Sequence, residues 1–231
     1  MENQTRDVRN QIIQGNSAEV LKEVKAGSID VAITDPPYLV NYRDSHGRTV
    51  ANDANAEGVL PTFPELYRVM KPNSLVICFA GWTALDAFTT AWREVGFQIV
   101  GHIVWAKDYA SSSRQTAFHH ESAYVLAKGR PKKPTVPLPD VQEWVYSGNK
   151  LHPTEKAVEI IKPLVETFSK PGDLVLDPFL GSGTTAVAAS LMGRDYLGIE
   201  LEERYCQLAR KRLKGVERFR SRGSVQSKRA A

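Results

Sequence analysis

The stretch DLVLDPFLGSGTT (residues 173–185) joins a short apolar segment to a glycine-rich turn. The residues that follow, 183–193, are mostly small and have the length of a buried helix. A strand that ends in such a turn and opens a helix is where a doubly wound α/β sheet binds a nucleotide-like ligand. Gly181 and Gly183 have no side chains, so the backbone there can come close to a ligand. The stretch therefore predicts a mostly parallel sheet with a ligand site at its carboxyl edge.

The spacing of this turn narrows the kind of ligand. It is not G-x-G-x-x-G, which disfavours a dinucleotide dehydrogenase, and not G-x-x-x-x-G-K-[ST], which excludes a phosphate-cradling NTPase loop. The free N–H groups at the start of the following helix favour a carboxylate. The next strand ends in Glu200, 23 residues after Asp177, and a carboxylate there can accept both hydroxyls of a ribose. A nucleoside that carries a carboxylate fits both features, and ordinary tight-turn glycines are the alternative.

A second motif, Asp35-Pro36-Pro37-Tyr38, directly follows the apolar strand IDVAIT (29–34). Prolines have no N–H, so this turn presents hydrogen-bond acceptors and cannot fold into a helix. The exocyclic amine of a nucleic-acid base is a poor nucleophile, because its lone pair is delocalised into the ring. The Asp35 carboxylate and the Pro36 carbonyl would draw such a nitrogen toward a tetrahedral shape, and Tyr38 offers a flat face for an extruded base. The alternative is a proline-rich strand exit with a capping Asp.

Elsewhere in the chain, apolar runs of strand length alternate with helix-period segments, which favours a parallel α/β architecture. PTFPELYRVMKP (61–72) has the pattern of a helix that ends at Pro72, and FQIVGHIVWAK (97–107) has that of a strand. The proline-dense segment 130–140 predicts a linker, and the polar residues 39–58 predict a long loop.

The composition is typical of a single soluble domain, with 231 residues and 42 % hydrophobic content. No apolar run approaches the roughly 18 residues of a membrane span, and the polar N-terminus has no signal-peptide core, so we expect a cytoplasmic protein. Cys78 and Cys206 have no neighbours at metal-ligand spacing, which predicts structural thiols and no metal site. The net charge is +4. The residues from Arg204 onward include ten Lys or Arg and one acidic residue, Glu217. That segment predicts either a solvated tail or an arm that contacts phosphates.

Taken together, these motifs resemble the amino-group DNA methyltransferases. The order, DPPY first and DPFLGSGTT later, is similar to that of the beta subgroup, and the likeness extends from about Gln11 to Leu213. It implies a Rossmann-like S-adenosylmethionine-dependent methyltransferase fold of class α/β, with a mostly parallel seven-stranded sheet, one antiparallel strand and helices on both faces. It also implies one catalytic domain, 1–231, in circular order: a catalytic half 11–129, a short recognition or linker segment 130–150, a cofactor-binding half 151–214 and a basic tail 215–231.

The resemblance also implies site residues. HPTEK (152–156) is similar to the segment that contacts the methionine side of the cofactor, although the Pro usual after that Lys is Ala157 here. Gly15-Asn16 resembles the Gly-Asp near the cofactor adenine, and His120-Glu121 the segment that shapes the base pocket. The catalytic residues implied are Asp35, Pro36, Pro37 and Tyr38. The cofactor-binding residues implied are Asp35, Asn16, His152, Pro153, Thr154, Lys156, Asp177, Phe179, Gly181, Ser182, Gly183, Thr184, Thr185 and Glu200.

The activity implied is direct transfer of a methyl group from S-adenosylmethionine to N6 of a flipped-out adenine in double-stranded DNA, without a metal. Asp rather than Ser at position 35 favours adenine over N4 of cytosine, although both bases present an exocyclic amine, so a cytosine-N4 methyltransferase is the first alternative. An RNA or protein-glutamine methyltransferase is disfavoured by the motif order. A catalytically silent DNA-binding module is disfavoured because both motifs are intact.

The segment available for DNA recognition is short, because only residues 131–150 occupy the place of the target-recognition insert found in the beta subgroup. Recognition would then also use residues 39–58, residues 107–119 or a second subunit, and we expect a homodimer. The leading hypothesis is a stand-alone or phage-type enzyme, and the sequence does not reveal a cognate restriction nuclease. The candidates for phosphate or guanine contacts are Arg43, Arg48, Arg114, Arg130, Lys132 and Lys133.

Overall fold

The computed structural model describes residues 8–43, 47–113, 115–149 and 151–229, with side chains as far as residue 217. Its strands are β1 (Gln11–Gln14), β2 (Ile29–Thr34), β3 (Met70–Phe79), β4 (Gln98–Ala106), β5 (His120–Lys128), β6 (Val141–Glu143), β7 (Leu174–Asp177) and β8 (Asp195–Glu200). Its helices are α1 (Ser17–Lys22), α2 (Thr62–Val69), α3 (Leu85–Glu94), α4 (Val158–Phe168), α5 (Thr184–Leu191) and α6 (Glu203–Arg229), and two short 3-10 helices cover Ala56–Gly58 and Trp82–Ala84. Within the described ranges, no helix has both the length and the apolar character needed to cross a lipid bilayer.

The strands form one sheet in the order β1-β8-β7-β2-β3-β5-β4-β6. β5 is antiparallel to both of its neighbours, and the other described pairings are parallel, which confirms the predicted α/β class and mixed sheet. The sheet has eight described strands instead of the seven expected. The additional strand, β6, lies just after the proline-dense segment and pairs with β4, Val141 opposite Val104. Three residues are too few to give a recognisable alternation in the sequence.

Helices cover both faces of the sheet. Side chains alternate along β2, so Val31 and Ile33 belong to one core cluster and Ala32 to the other. α4, α5 and α6 pack on the first face, where Leu164 is fully buried. α1, α2 and α3 cover the second face around the buried ring of Trp92. Burial on both faces explains why the central strands are continuous apolar runs in the sequence.

The parallel strands end along one edge of the sheet, and this edge positions the two motifs. β2 and β7 are neighbours, paired at Ala32 and Leu176. Asp35 directly follows β2, and Asp177 is the last residue of β7. The two halves of the chain therefore meet between these strands, at the kind of crossover where doubly wound sheets bind ligands.

The last helix includes most of the segment that we expected to form a basic tail. α6 extends from Glu203 to Arg229, so the segment expected to form a basic tail from residue 215 is helical as far as residue 229. The helix packs against α5 through Ala209 and Leu213, which belong to the first core cluster.

Candidate active site

A cleft of about 1380 Å³ runs along the carboxyl edge of the sheet. One end is lined by the loops after β1, β7 and β8 and by residues 152–156. The other end is lined by the loop after β2, by residues 80–83 and by the segments that connect and flank β4 and β5. The predicted catalytic and cofactor residues that line the cleft are Asn16, Asp35, Pro36, Pro37, Tyr38, His152, Pro153, Thr154, Lys156, Phe179, Gly181 and Glu200.

A smaller cavity of about 50 Å³ lies beside this cleft. Asp35 and Lys156 are among the seven residues that line both spaces, and this shared wall is the junction between them. The predicted residues that join the site through the smaller cavity are Asp177, Ser182, Thr184 and Thr185. The structure thus brings the two distant motifs into one site.

Asp35 is an oriented acceptor at this junction. The Tyr38 hydroxyl donates to its Oδ1 at 2.8 Å, and the Lys156 ammonium donates to its Oδ2 at 2.5 Å. Burial raises the pKa of Asp35 above its usual range, and the positive charge of Lys156 opposes that rise. The Lys156 Nζ also lies 4.9 Å from the centroid of the Phe79 ring. Both carboxylate oxygens are therefore directed by a neighbour, one of them a buried cation.

The ring of Tyr38 is fixed by a close approach to the neighbouring loop. A Cβ added to Gly81 would lie 2.9 Å from the Tyr38 Cδ2 atom. The register explains this contact, because Thr34 at the end of β2 lies opposite Cys78 near the end of β3. The loop after the motif is also held, since the Asp53 carboxylate accepts the Leu39 N–H at 3.0 Å.

The glycine-rich turn is tied to the end of β8. The Gly181 N–H donates to Glu200 Oε2 at 2.8 Å, and the Glu202 N–H donates to Glu200 Oε1 at 2.8 Å. Each oxygen keeps capacity for a second hydrogen bond. Burial raises the pKa of Glu200 above its usual range. The carboxylate is thus held at the cleft wall with acceptor capacity to spare.

Gly183 has a packing role that the sequence analysis did not indicate. It adopts a φ of 90° at the start of α5, and an added Cβ would lie 2.5 Å from the Ala209 Cβ on α6. The residues that line the cleft and the smaller cavity do not include it. Its missing side chain therefore allows α6 to approach α5, and the close approach of a ligand to its backbone stays a prediction.

Asp177 is a buried carboxylate with a strongly shifted pKa. Its Oδ1 accepts the Phe179 N–H at 3.1 Å. Burial raises its pKa to about 7, and hydrogen bonding from Thr185 opposes the rise. The group therefore titrates in the neutral range.

The segment 152–156 packs over the glycine-rich turn. Burial lowers the pKa of His152 to about 4, so the ring is neutral, and its Nδ1 accepts the Thr154 N–H at 3.3 Å. Glu155, which the sequence analysis did not single out, is buried and accepts from the Ser182 hydroxyl at 3.4 Å. It also lies 3.3 Å from the Arg212 guanidinium. These contacts connect the segment to the glycine-rich turn and to α6.

Asn16 reaches the cleft from the loop after β1. Its Oδ1 accepts the Ala18 N–H at 2.9 Å, so it caps α1. The cap fixes the loop after β1 and places Asn16 on the same cleft as Glu200.

The basic residues predicted to contact DNA are spread over the surface. Arg43 lines the cleft. Arg48 donates to the backbone carbonyl of Asn149 at 3.2 Å. Arg114 lies outside the described residues.

Arg130, Lys132 and Lys133 do not line the cleft. Because β5 is antiparallel, it carries the chain away from the carboxyl edge, and the Arg130 N–H donates to Asn73 Oδ1 at 2.8 Å near the beginning of β3. Any contact of these three residues with DNA would therefore lie away from the cleft.

An ion pair that the sequence analysis missed lies at the other end of the cleft. The Lys107 Nζ lies 2.5 Å from Glu121 Oε1 and 4.9 Å from the centroid of the Trp144 ring. The Trp144 Nε1–H donates to the Tyr109 hydroxyl at 3.1 Å. The resemblance pointed to Glu121 but not to Lys107 or Trp144. The available signal was a Lys just after one strand and a Glu near the start of the next.

Neither cysteine lines this cleft. Cys78 and Cys206 are buried free thiols. Among the side chains that the structure describes, no three or more His, Cys, Asp or Glu are grouped as a metal ion would require.

Comparison with known proteins identifies the family. The model of a family described as DNA methylase, which joins N6 and N4 methyltransferases, matches residues 29–211. The protein named "Putative methylase YubD" of Escherichia coli (strain K12) is 47 % identical over 213 residues, which cover 92 % of this chain and 94 % of that protein. The "Type II methyltransferase M2.DpnII" of Streptococcus pneumoniae is 27 % identical over 237 residues, which cover 87 % and 88 % of the two chains.

A solved structure agrees with these relatives. The crystal structure of M1.HpyAVI in complex with S-adenosylmethionine is 26 % identical, with a TM-score of 0.69, and the likeness covers 88 % of this chain and 98 % of that one. The family match spans both motifs and most of the sheet. The chain therefore belongs to the N6/N4 DNA methylase family.

Proposed function

We propose that the chain is a site-specific DNA methyltransferase that transfers a methyl group from S-adenosylmethionine to N6 of an adenine flipped out of duplex DNA. The observation that carries this proposal is the position of Asp35 on the wall of the cleft, which extends from Glu200 at one end to Trp82 at the other. A methyl donor and an amine held on either side of Asp35 would be near enough for direct transfer. On this proposal residues 11–129 hold the base, residues 151–214 hold the cofactor, and residues 130–150 contribute to recognition.

The residues at the cofactor end fit the chemistry of S-adenosylmethionine. Glu200 has spare acceptor capacity for the ribose hydroxyls, and the buried Asp177 suits the ammonium group. Lys156 and the N–H groups at the start of α5 suit the carboxylate. When bound, S-adenosylmethionine supplies a methyl group attached to a positively charged sulfur.

At the other end of the cleft, hydrogen-bond acceptors hold and polarise the amine of the target base. Asp35 and the Pro36 carbonyl accept the two N–H groups of the base, and Tyr38 offers its ring face for stacking. Each oxygen of Asp35 already accepts one hydrogen bond, from Tyr38 or from Lys156, so the amine would share an oxygen with one of these donors unless that donor moves. Lys156 has an alternative anionic partner in the cofactor carboxylate. We therefore expect cofactor binding to release Asp35 for the base.

The choice of adenine rests on the acidic residue at position 35. The test is to supply labelled S-adenosylmethionine with duplex DNA, RNA or protein in separate reactions and to identify the products by nucleoside mass spectrometry. We expect label in duplex DNA as N6-methyladenine. N4-methylcytosine without N6-methyladenine would overturn the base assignment, and label in RNA or protein alone would overturn DNA as the substrate.

The affinity for S-adenosylmethionine should rise with pH up to about 7, because Asp177 has a pKa of about 7 and must ionise to hold an ammonium group. Below that pKa, the contribution of Asp177 to affinity should fall by about tenfold per pH unit. Titration calorimetry between about pH 5.5 and pH 7 measures this, and His152, with a pKa of about 4, does not titrate in that window. Asp177→Asn should bind weakly and without this pH dependence. An unchanged pH dependence in the variant would remove Asp177 from the explanation.

The raised pKa of Asp177 has the opposite effect on the stability of the folded chain, which should fall as the pH rises. The folded chain favours the neutral carboxyl of Asp177, whose ordinary pKa is 3.8. Between that value and about 7, the folded state holds a proton that the unfolded state lacks. The stability that Asp177 contributes is therefore complete at low pH and is lost as the pH rises toward 7.

A further inference from the structure

An exposed tryptophan stands at the mouth of the cleft. Trp82 begins the 3-10 helix after β3, lines the cleft and is 65 % exposed. By contrast, Trp92 and Trp105 are buried in the two core clusters. The exposed face of this large ring is available to stack on another flat surface.

The sheet register places Trp82 beside the turn that we propose binds the base. Since Thr34 lies opposite Cys78, the residues that leave β3 run alongside those that leave β2. Gly81 touches the ring of Tyr38, because a Cβ added to Gly81 would lie only 2.9 Å from the Tyr38 Cδ2 atom. Trp82 therefore lies one residue from this contact, on the open side of the cleft.

Trp82 is supported by other rings. Its centroid is 6.3 Å from that of Phe118, and the Phe118 ring is 4.6 Å from His120. All three residues line the cleft. Aromatic side chains beside a nucleic-acid site stack on bases without reading their identity, because every base has a π face.

We propose that Trp82 enters the DNA stack at the place left by the flipped-out adenine. The proposal rests on the proposed function and assigns a further residue to the same site. Flipping a base leaves its neighbours without a stacking partner, which is part of the unfavourable free energy of extrusion. An indole at the mouth of the base pocket, backed by Phe118, can cover those bare faces. Trp82 is thus a positioning residue that holds the duplex open without touching the reacting atoms.

The test compares two duplexes that carry the methylation site, once methylation-sensitive sequencing has located it. One duplex is fully paired, and the other has an abasic position opposite the target adenine, so that this base is already loosened. Under single-turnover conditions, Trp82→Ala should slow methylation of the paired duplex by between about fivefold and about one-hundred-fold. It should leave the rate on the abasic duplex nearly unchanged.

Two further variants separate stacking from general damage. Trp82→Phe keeps a ring face and should recover most of the rate on the paired duplex. Val100→Ala removes an apolar side chain that is 57 % exposed near the start of β4 and outside the cleft, and it should behave as the wild-type protein. The increase in fluorescence of 2-aminopurine at the target position, measured without turnover, should be smaller for Trp82→Ala than for either of these variants.

The outcomes distinguish this proposal from the proposed function. If Trp82→Ala slows methylation equally on both duplexes, Trp82 belongs to the base pocket itself. If it does not slow methylation of the paired duplex, Trp82 does not enter the DNA stack. Either result overturns the proposal while methyl transfer to DNA stands. If the wild-type protein methylates neither duplex, the proposed function fails first, and the role of Trp82 fails with it.

Discussion

Replacing Asp35 with Asn should lower the rate of methyl transfer to DNA by about 10³-fold or more. The amide keeps the shape of the carboxylate and can still accept from Lys156. It carries no charge, however, and it presents an N–H group where the amine of the base needs an acceptor. Single-turnover rates at saturating DNA and cofactor measure this loss directly, and DNA binding by the variant should remain close to that of the wild-type protein.

The control for this substitution is Asp86→Asn, which makes the same chemical change on an exposed residue in the first turn of α3. We expect it to leave the rate unchanged. A rate for Asp35→Asn that approaches that of Asp86→Asn would exclude Asp35 from the chemistry and would remove the basis of the proposed site.

Replacing Gly183 with Ala should lower the free energy of unfolding by about 3 kcal/mol or more. An alanine at this position would have a strained backbone, because φ is 90°, and its Cβ would lie 2.5 Å from the Ala209 Cβ. In a chain of this size that loss should lower the melting temperature by about 10 °C. Equilibrium denaturation and thermal melting measure the two quantities.

Two comparisons separate backbone strain from collision. Gly193 has a φ of 77° and no heavy atom within 4 Å of an added Cβ, so Gly193→Ala carries the strain alone and should cost about 1–2 kcal/mol. Ala209→Gly in the Gly183→Ala background removes the colliding methyl group and should recover part of the loss. Equal losses for the two glycine variants, or no recovery in the double variant, would contradict the account of α5 and α6 packing.

The parts of the fold that the sequence predicts well are those set by local pattern. The strand 29–34 has the predicted bounds, because it is buried on both faces and is therefore a continuous apolar run. The glycine-rich turn 181–183 follows its strand and opens its helix as expected. The meeting of the two motifs could also be anticipated, since parallel strands end at one edge of the sheet.

The parts that the sequence does not predict depend on partners elsewhere in the chain. The prediction that Pro72 ends a helix is wrong, because α2 already ends at Val69 and Pro72 lies within β3. The register of β3 against β2 shifts there, between the pairs Ile29–Met70 and Val31–Leu75, and the missing N–H of a proline is tolerated at such an irregularity.

The contacts between individual side chains could not be predicted from the sequence either. Lys107 and Glu121 approach each other only because β4 and β5 form a hairpin with a long loop, a pairing that no local pattern specifies. The purpose of Gly183 is also non-local, since its neighbour Ala209 lies on another helix. Dimerisation and the roles of the basic residues stay predictions.

The structure of a complex with the demethylated cofactor and a duplex carrying the methylation site would test the central claim most directly. We expect the target base outside the helix, its amine within about 3 Å of an Asp35 carboxylate oxygen, and the Lys156 ammonium turned toward the cofactor carboxylate. An Asp35–Lys156 pair that remains closed while the base amine binds at another residue would contradict the account.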